Sequence, residues 1–401
     1  QEAYILKIAH LPSSFFPTVG GAEISVYNIA EEQTTSNHDV TLILYPRSYR
    51  YFKKNKIKCA FKILGFLPLT RLFYYIISNL GLNANFIIEY QIKRLQGKNS
   101  FDVWHFSLLD PLSLIAIDTL KSFDVKIIAS FRGSDIQIID EINYGQRLEK
   151  KYENALLKTL PNIDEYTAIS ESVIEEYHKL NIKKNRITLI PNGIDFERFN
   201  SFKKDIGVFK NIFSYNKQKI ILTVGRNHPK KGFNNIEQII NSLKKIRKDF
   251  IWLLVGEGTD EIVNNIIDSE NLNYLKSYSL NQTQKATTIY PQDELIKIYK
   301  SCDVFVFPTL IETLGNVQIE AMAAKVPVVS SNVPGCKNII DNNNNGFLCN
   351  PFDYKDFAIT IDKILSNPKL IKLITENALN KITDLDMNNI SKKYIDVYRK
   401  K

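Results

Sequence analysis

Two glutamates that flank a predicted helix start have the residue types and spacing for ligand chemistry. Glu312 and Glu320 lie eight residues apart, one in a loop after an apolar run and the other inside a helix predicted from about Asn316 to Ala324. The backbone N–H groups of a helix start, with the helix dipole, suit a phosphate, and carboxylates accept hydrogen bonds from hydroxyls. A phosphate with hydroxyls on both sides is the layout of a nucleotide-sugar. The alternative is a helix start whose acids complement its dipole.

The residues around this pair favour the ligand site. Gly-Asn-Val lies between the glutamates and Glu-Ala-Met-Ala-Ala begins at the second one. The stretch resembles the donor-site signature of the retaining GT-B glycosyltransferases, in particular family 4. That resemblance implies that Glu312 holds the transferred sugar and that Glu320 holds the ribose. It further implies a row of backbone groups that meet the sugar and diphosphate: Thr313, Leu314, Gly315, Asn316 and Val317.

A second group of residues offers positive charge and nucleoside contacts. Arg226 leaves a predicted strand and Lys231 follows five residues later, before a glycine. An arginine fork and a lysine point charge on one turn can neutralise a diphosphate, with Lys230 as the alternate if the turn is shifted by one. The resemblance gives the same role to Arg226 and Lys231. It places Gly256 near the nucleoside and Tyr290 in the base-binding loop, where Tyr290 either stacks or merely packs.

The first half of the chain carries a glycine pair that the resemblance assigns to the donor. Gly20 and Gly21 stand between a predicted strand and a helix, where glycines let the backbone approach a ligand closely. An ordinary glycine turn is the alternative. The Gly-Gly-Ala-Glu sequence matches the first loop of the family, which lies against the donor phosphates.

Four more residues of the first half are candidates for the acceptor side. His105 ends a predicted strand, although a lone histidine is more often structural. Arg132 stands where the family often has histidine, and an arginine could bind an acceptor phosphate or carboxylate. Asp135 is expected to cap a following helix, and Ser170 ends another strand. With Glu312, Arg226 and Lys231, Arg132 completes the set expected to carry the transfer.

Strands alternate with helical patterns in both halves, which predicts parallel sheets covered by helices. The predicted strands are Ile5–Ala9, Val40–Tyr45, Val103–His105, Lys126–Ser130, Glu165–Ile169, Ile187–Ile190, Ile220–Val224, Phe250–Val255, Ala286–Ile289, Val304–Phe307 and Val326–Ser330. The expected fold is α/β of the GT-B type, two Rossmann-like domains that face a central cleft. The domains are residues 1–195 for the acceptor and 217–384 for the nucleotide-sugar. A linker covers 196–216, and a C-terminal helix in 385–401 packs back on the first domain.

The positive charge of the chain is concentrated in one segment. The net charge is +9, and eleven bases but only one acid, Glu89, lie from Arg47 to Lys98. The apolar stretch Ile63–Leu82 is interrupted by Pro68 and too short to span a bilayer. Segment 47–98 is either an amphipathic region that lies on an anionic membrane surface or a core helix beside a solvated charge run. A nucleic-acid partner is not expected, because no nucleic-acid motif accompanies the charge.

The remaining expectations concern compartment and reaction. The four cysteines lack metal-ligand spacing, and the first residues lack the pattern of a signal peptide, so a cytoplasmic protein without metal or other cofactor is expected. The resemblance implies a retaining, metal-independent hexosyltransferase for surface polysaccharide or glycoconjugate synthesis. A UDP-sugar is the favoured donor, and a glycan or lipid-linked molecule is the acceptor. A nucleotide-sugar epimerase and a non-catalytic binding module of the same fold are the alternatives.

Overall fold

The computed structural model describes residues 4–140, 143–266, 268–280 and 288–400, and it divides into two compact units. Among the described residues, unit 1 comprises 4–193, Thr288 and 387–400, and unit 2 comprises 194–280 and 289–386. Each unit has one parallel sheet covered by helices. The predicted α/β class with two Rossmann-like parallel sheets is therefore confirmed.

Unit 1 is built on a seven-stranded sheet. Its strands are β1 (Lys7–Pro12), β2 (Asp39–Leu44), β3 (Lys62–Gly65), β4 (Val103–Ser107), β5 (Lys126–Ser130), β6 (Glu165–Ala168) and β7 (Ile187–Leu189). They pair in the order β3-β2-β1-β4-β5-β6-β7, and every pair is parallel. The helices between them are α1 (Gly21–Thr35), α2 (Pro46–Asn55), α3 (Thr70–Asn79), α4 (Phe86–Asn99), α5 (Pro111–Leu120), α6 (Lys150–Thr159) and α7 (Glu171–Lys179).

Unit 2 repeats the plan with six strands. These are β8 (Lys219–Val224), β9 (Phe250–Val255), β10 (Leu275–Tyr278), β11 (Val304–Phe307), β12 (Val328–Ser331) and β13 (Phe347–Cys349), in the parallel order β10-β9-β8-β11-β12-β13. Its helices are α8 (Phe196–Ser201), α9 (Gly207–Lys210), α10 (Ile236–Leu243), α11 (Thr259–Asn264), α12 (Asp293–Ser301), α13 (Asn316–Ala323), α14 (Pro334–Lys337), α15 (Tyr354–Leu365) and α16 (Pro368–Ile382).

Two consecutive side-chain hydrogen bonds connect the central strands of unit 2. Trp252 of β9 donates its indole N–H to Thr223 Oγ1 of β8 at 3.0 Å, and that hydroxyl donates to the Val306 carbonyl of β11 at 2.6 Å. Both polar side chains are fully buried, so each needs a partner inside the core. These two hydrogen bonds fix the strand ends that carry the loops of the candidate site.

Several elements differ from the sequence pattern. Residues 196–216, predicted as a linker, form α8 and α9 and belong to unit 2. Of the strand predicted over Ala286–Ile289, residues 286 and 287 lie outside the described residues, and Thr288 and Ile289 are not in a strand. The final helix, α17 (Met387–Arg399), belongs to unit 1 and packs against α1. Among the helices described here, none is long and apolar enough to cross a membrane.

Candidate functional site

The candidate site of unit 2 lies where the strand order of its sheet reverses. The loop after β8 carries Lys231 and the loop after β11 carries Glu312, and these two strands are neighbours in the sheet. Ligands of open α/β sheets bind at such a switch point, outside the carboxyl ends of the strands. The fold therefore brings together two loops that are about eighty residues apart in sequence.

Lys231 and Glu312 form a short, largely buried ion pair. Lys231 Nζ lies 2.6 Å from Glu312 Oε2, and Glu312 Oε1 accepts a hydrogen bond from the Thr313 amide at 3.0 Å. Burial alone would raise the pKa of the Glu312 carboxyl, but Lys231, Lys230 and the Thr313 amide hold that pKa below its usual value. Glu312 is therefore an anion at neutral pH, suited to accept hydrogen bonds from hydroxyls rather than to donate a proton.

The two loops are locked to each other through backbone contacts. The Lys230 carbonyl accepts from the amides of Leu310 and Ile311 at 2.8 and 3.1 Å. Gly232 has φ +64°, and a Cβ there would lie 2.0 Å from the Pro308 carbonyl oxygen. Only glycine permits this approach, so the turn that carries Lys231 is fitted against the loop that carries Glu312.

Gly315 is the N-cap residue of α13 (Asn316–Ala323) and directly follows this loop. Its φ is +77°, and a Cβ there would lie 2.3 Å from Gln318 Nε2 and 3.2 Å from Glu312 Cγ. The buried Gln318 side chain donates to the Leu314 carbonyl at 3.3 Å, while its Oε1 has no hydrogen-bond partner among the described residues. The predicted row from Thr313 to Val317 is thus the loop and first turn of a helix that begins beside the Lys231–Glu312 pair. A helix start of this kind suits a phosphate.

Glu320 lies inside α13 and has a different electrostatic environment from Glu312. It accepts a hydrogen bond from the Tyr299 hydroxyl of α12 at 3.0 Å. Burial raises the pKa of the Glu320 carboxyl to about 7, because the Tyr299 hydrogen bond and the charge of Arg198 offset only part of the lost hydration. The two glutamates of the signature therefore differ in charge state near neutral pH.

The other predicted residues of unit 2 lie in neighbouring loops. Arg226 follows β8 and is exposed, with no ion pair to any residue that the structure describes. Gly256 follows β9 with φ +147°, and a Cβ there would lie 2.0 Å from the Gly225 carbonyl oxygen. Tyr290 is partly buried in the loop before α12. Arg198 supports this loop through the Pro291 carbonyl and through Asp293 Oδ1, the latter at 2.7 Å.

Three supporting residues of this site were not assigned to it from the sequence. Tyr299 and Arg198 influence Glu320 from α12 and α8, and no motif in the chain marks them. Gly335, in α14, comes so close to the loop that a Cβ would lie 2.2 Å from the Glu312 carbonyl oxygen. The Val-Pro-Gly sequence was a usable signal, because a Pro-Gly pair indicates a turn and glycine permits close backbone approach.

The unit 1 candidates separate into a helix start and a buried network. Gly20 caps α1 with an extended backbone and no side chain, and Gly21 is the first helical residue. Ser170 holds the same position before α7, where its hydroxyl contacts that of Ser172 at 2.9 Å. Neither glycine of the pair adopts a positive φ, so the backbone alone does not require glycine there.

His105 is part of the buried network. Its Nδ1 lies 2.6 Å from the Tyr398 hydroxyl of α17, and its Nε2 lies 2.6 Å from the Ser130 hydroxyl. His10 packs beside it with ring centroids 5.0 Å apart. Burial lowers the pKa of His10 to about 4 and that of His105 well below its usual value, so both rings are neutral. Both ring nitrogens of His105 are used inside unit 1, which supports the structural alternative over an acceptor contact.

Arg132 is 7% exposed, and the hydrogen-bond partners of its guanidinium are neutral groups of unit 1. Its guanidinium donates to Asn192 Oδ1 at 2.6 Å, to Ser25 Oγ at 3.3 Å and to the Tyr394 hydroxyl at 3.3 Å. Its Nε is buried and has no hydrogen-bond partner in the part of the chain that the structure describes. The guanidinium thus connects α1, Asn192 near the end of residues 4–193, and α17. The sequence does not indicate this placement.

The prediction that Asp135 caps a helix is wrong. Asp135 is fully buried and accepts hydrogen bonds from the backbone amides of Leu109, Arg132 and Gly133 at 2.9–3.0 Å. The following residues form turns, and the carboxylate closes the bend after β5. Burial raises the pKa of Asp135, and these three amides oppose that shift.

No group of three or more His, Cys, Asp or Glu side chains that could hold a metal ion occurs in the described part of the chain. The turn after β8 concentrates positive charge: burial lowers the pKa of Lys230, and the nearby charges of Lys231 and Arg226 lower it further, while Glu312 opposes the shift.

Comparison with known proteins shows which family the chain resembles. The family described as Glycosyltransferase Family 4 matches residues 19–198, and the family described as Glycosyl transferases group 1 matches residues 208–381. The capsular polysaccharide biosynthesis glycosyltransferase CapM of Staphylococcus aureus is 33% identical over 223 residues, 54% of this chain and 56% of that protein. An Escherichia coli UDP-Gal:alpha-D-GlcNAc-diphosphoundecaprenol alpha-1,3-galactosyltransferase is 26% identical over 51% of this chain and 52% of its own length. The chain thus matches little more than half the length of these two relatives.

Solved structures share the fold over nearly the whole chain. A glycosyltransferase from Rickettsia africae superposes with a TM-score of 0.76 at 19% identity, covering 99% of this chain and 98% of that one. Anabaena HepE in complex with UDP superposes with a TM-score of 0.73 at 16% identity, covering 98% and 99%. With the two family matches, which together span residues 19–198 and 208–381, the chain belongs to the GT-B glycosyltransferases related to family 4.

Proposed function

We propose that the protein is a retaining glycosyltransferase that moves a sugar from a UDP-sugar to a glycan or lipid-linked acceptor, without a metal ion. The observation that carries this proposal is the buried Lys231–Glu312 pair beside the start of α13. It sets a fixed cation and a fixed anion next to a helix start, which is what a diphosphate joined to a sugar requires. Surface polysaccharide or glycoconjugate synthesis is the proposed setting.

The residues of unit 2 divide the work of the reaction. Lys231 and Arg226 neutralise the diphosphate as the bond between the sugar and its phosphate oxygen breaks, and the first turn of α13 assists them. Glu312 stays ionised and orients the sugar through its hydroxyls. Glu320, with Tyr299 behind it, accepts hydrogen bonds from the ribose.

Retention is proposed to follow from attack on the face that the nucleotide leaves. An acceptor hydroxyl forms the new bond to the sugar carbon while the old phosphate bond breaks, and its proton passes to the departing diphosphate oxygen. This scheme needs no protein nucleophile, in keeping with a Glu312 carboxylate that is already bound to Lys231 and the Thr313 amide. It also needs no metal, because the turn after β8 supplies the positive charge.

The choice of donor and acceptor rests on relatives. The solved HepE complex contains UDP, and the E. coli relative is named for UDP-Gal and a diphosphoundecaprenol-linked acceptor. We extend both features to this chain: a UDP-sugar bound by unit 2, and an acceptor carried by a membrane lipid. On this basis the protein works on the cytoplasmic face of a membrane as a peripheral enzyme.

The first test is thermal unfolding with UDP, GDP, ADP and CMP in the presence of a chelator. A ligand that binds the native state raises the melting temperature by mass action. We expect UDP to raise it and Lys231→Met to abolish that rise, whereas the exposed Lys372→Met serves as the matched control. Absence of any shift with the unmodified protein would refute the donor assignment.

Incubation with UDP-sugars and a diphosphoundecaprenol-linked sugar then separates transferase from binder. Formation of an α-linked product from an α-linked donor supports retention, and a β-linked product would overturn it. Nucleotide binding without product indicates a binding module, and an altered free nucleotide-sugar indicates an epimerase.

A further inference from the structure

Helix α3 of unit 1 presents an apolar stripe to solvent. Leu69, Leu72, Phe73, Ile76 and Leu80 recur at the spacing of one helix face, and each is between 47% and 70% exposed. Thr70 and Tyr74, on another side of the same helix, are buried. A helix at the surface of a globular protein normally turns its apolar face inward, so this helix has the opposite orientation.

The stripe is the centre of a larger concentration of exposed apolar side chains. Ten of the 23 large apolar residues that are exposed in the described chain lie between residues 67 and 90. The other members are Leu67, Tyr75, Leu82, Phe86 and Tyr90. Single exposed apolar residues are ordinary, but a group of this size on adjoining elements indicates a surface with a partner.

Polar contacts hold α3 in this orientation. Arg71 donates to Asp110 Oδ2 at 2.9 Å and to the Ser13 carbonyl at 3.0 Å, with its guanidinium 3.9 Å from the centre of the Tyr45 ring. Gln91 of α4 accepts from the Leu67 amide at 2.7 Å and donates to Thr70 Oγ1 at 3.0 Å. Turning the stripe inward would break these contacts, so its exposure is a property of the folded unit.

The elements on both sides of α3 in sequence carry exposed positive charge. Helix α2 bears Arg47, Arg50, Lys53 and Lys54, and α4 bears Lys93, Arg94 and Lys98. All seven side chains belong to exposed residues, and none forms an ion pair within the described residues. On α4, Phe86 and Tyr90 precede Lys93 and Arg94 at helical spacing, so the apolar face continues into a basic one.

Apolar residues next to a basic rim complement one kind of surface, an anionic lipid bilayer. Leucine, isoleucine and phenylalanine enter the acyl boundary, tyrosines suit the interface, and lysines and arginines meet acidic headgroups. An acidic protein would satisfy the charge, and a second copy of the chain would cover the apolar stripe but set like charges side by side. The bilayer satisfies both features.

We propose that α3 lies in the surface of an anionic membrane with Leu72, Phe73 and Ile76 inserted, while the bases of α2 and α4 contact the headgroups. This inference rests on the proposed function, and it names the surface that brings the enzyme to a lipid-linked acceptor. A bound enzyme meets such an acceptor at a raised effective concentration.

Vesicle co-sedimentation of the full chain tests the proposal. We expect binding to phosphatidylcholine vesicles with about one third phosphatidylglycerol, weaker binding to pure phosphatidylcholine, and loss of affinity at high salt. The triple variant Leu72→Ser/Phe73→Ser/Ile76→Ser should lower the affinity at least about tenfold. The matched control is Phe352→Ser/Ile359→Ser/Leu373→Ser in unit 2, whose side chains are 55–69% exposed; it should bind like the unmodified protein.

A second measurement reports insertion directly. Both native tryptophans, Trp104 and Trp252, are fully buried, so Phe73→Trp adds a probe at the stripe. Its fluorescence should be quenched by vesicles with brominated acyl chains. Quenching no greater than with unbrominated vesicles, or unchanged affinity in the triple serine variant, would overturn the proposal.

The same variants distinguish the other outcomes. The triple serine variant should keep its UDP-induced thermal shift and its transfer to a water-soluble acceptor. It should lose transfer to the lipid-linked acceptor in vesicles. If no variant, including the unmodified protein, shows a UDP shift, the proposed function fails while the vesicle result still stands by itself. A dimer by light scattering that the triple variant converts to monomer, without vesicle binding, would assign the stripe to a second copy and refute the membrane proposal.

Discussion

At the scale of single residues, the two glutamates of unit 2 show how burial and neighbouring charge set different chemistry. Glu312 has Lys231 at 2.6 Å and is ionised at neutral pH, whereas Glu320 accepts a hydrogen bond from the Tyr299 hydroxyl and has a pKa raised by burial to about 7. The first carboxylate is therefore an anion at neutral pH, and the second changes its charge in the physiological range. This difference leads to two separate predictions.

Removing the charge of Glu312 should impair sugar transfer more than it impairs nucleotide binding. Glu312→Gln keeps the size of the side chain but removes the charge that orients the sugar, so we expect kcat to fall by about 10²–10³ with UDP affinity nearly unchanged. Lys231→Met leaves a buried carboxylate without its cation, so UDP affinity should fall as well. Steady-state kinetics and UDP titrations measure both. Equal loss of UDP affinity in the two variants would contradict the separation of roles.

Ribose binding should strengthen as pH rises through about 7. The Glu320 carboxylate accepts hydroxyl hydrogen bonds in its charged form, so affinity for uridine, which lacks a titrating phosphate, should increase from about pH 6 to about pH 8. Glu320→Gln should flatten this profile.

The stability of the free protein should respond in the opposite direction. Because the folded pKa is raised, this contribution is complete below the unfolded value of 4.5 and is lost as pH rises through about 7.

Calorimetric titration with uridine and thermal unfolding across the same pH range provide the two readouts. The exposed Glu376→Gln is the matched control and should leave both profiles unchanged. If the uridine affinity of the unmodified protein does not change with pH, ribose binding does not depend on the ionisation of Glu320.

The chemistry-bearing residues of unit 2 were accessible from sequence because short local motifs contain them. Lys231, Glu312 and Gly315 each stand in a strand–loop–helix pattern with a glycine that fixes the turn. Tyr299 and Arg198 were not accessible, because they reach Glu320 from other helices and their positions depend on packing. In unit 1, the burial of Arg132 could not be predicted from the sequence either. Its place at a strand end predicts proximity to a ligand, whereas its contact with α17 depends on the fold.

At the scale of elements, the strands that the sequence pattern does not predict lie at sheet edges. β3, β10 and β13 each pair on one side only, and their burial is partial. A strand between two others is covered on both faces and appears as an unbroken apolar run, as in Phe250–Val255. An edge strand lacks this requirement, so periodicity alone does not reveal it. Periodicity also identifies the apolar face of α3 without showing that this face points outward.

A substitution at Gly232 tests whether the close contact between the loop after β8 and the loop after β11 needs glycine. Gly232→Ala meets both a left-handed backbone and the Pro308 carbonyl, so we expect unit 2 to lose more than about 2 kcal/mol of stability. The control is Gly81→Ala, because Gly81 has φ +75° but an added Cβ would have no atom of the described residues within 4 Å. It should lose only about 1 kcal/mol from the backbone conformation. Denaturant unfolding, followed with and without UDP, measures both changes, and equal losses would show that the Pro308 contact is unimportant.

At the scale of the whole molecule, unit 1 is completed by the last segment of the chain. α17 packs against α1, and its Tyr394 and Tyr398 supply hydroxyls to Arg132, His105 and Gln33. The sequence predicts a helix here and assigns it to the first domain. It does not predict that this helix satisfies buried polar groups, because those partners lie between 262 and 365 residues away in sequence.

Tyr398→Phe should therefore destabilise unit 1 although it keeps the aromatic ring. The change removes the hydroxyl that lies 2.6 Å from His105 Nδ1 and accepts from Gln33 Nε2 at 3.2 Å. Two buried polar atoms would be left without this partner, which is expected to reduce the free energy of unfolding by about 1–3 kcal/mol. Tyr90→Phe, at an exposed position, is the control and should have no measurable effect. Unfolding of unit 1 followed by hydrogen exchange at β4 should report the loss, while the UDP-induced thermal shift should persist, because Lys231, Glu312 and Glu320 belong to unit 2. Unchanged exchange at β4 would show that α17 contributes packing alone and that its hydroxyls do not stabilise the buried network.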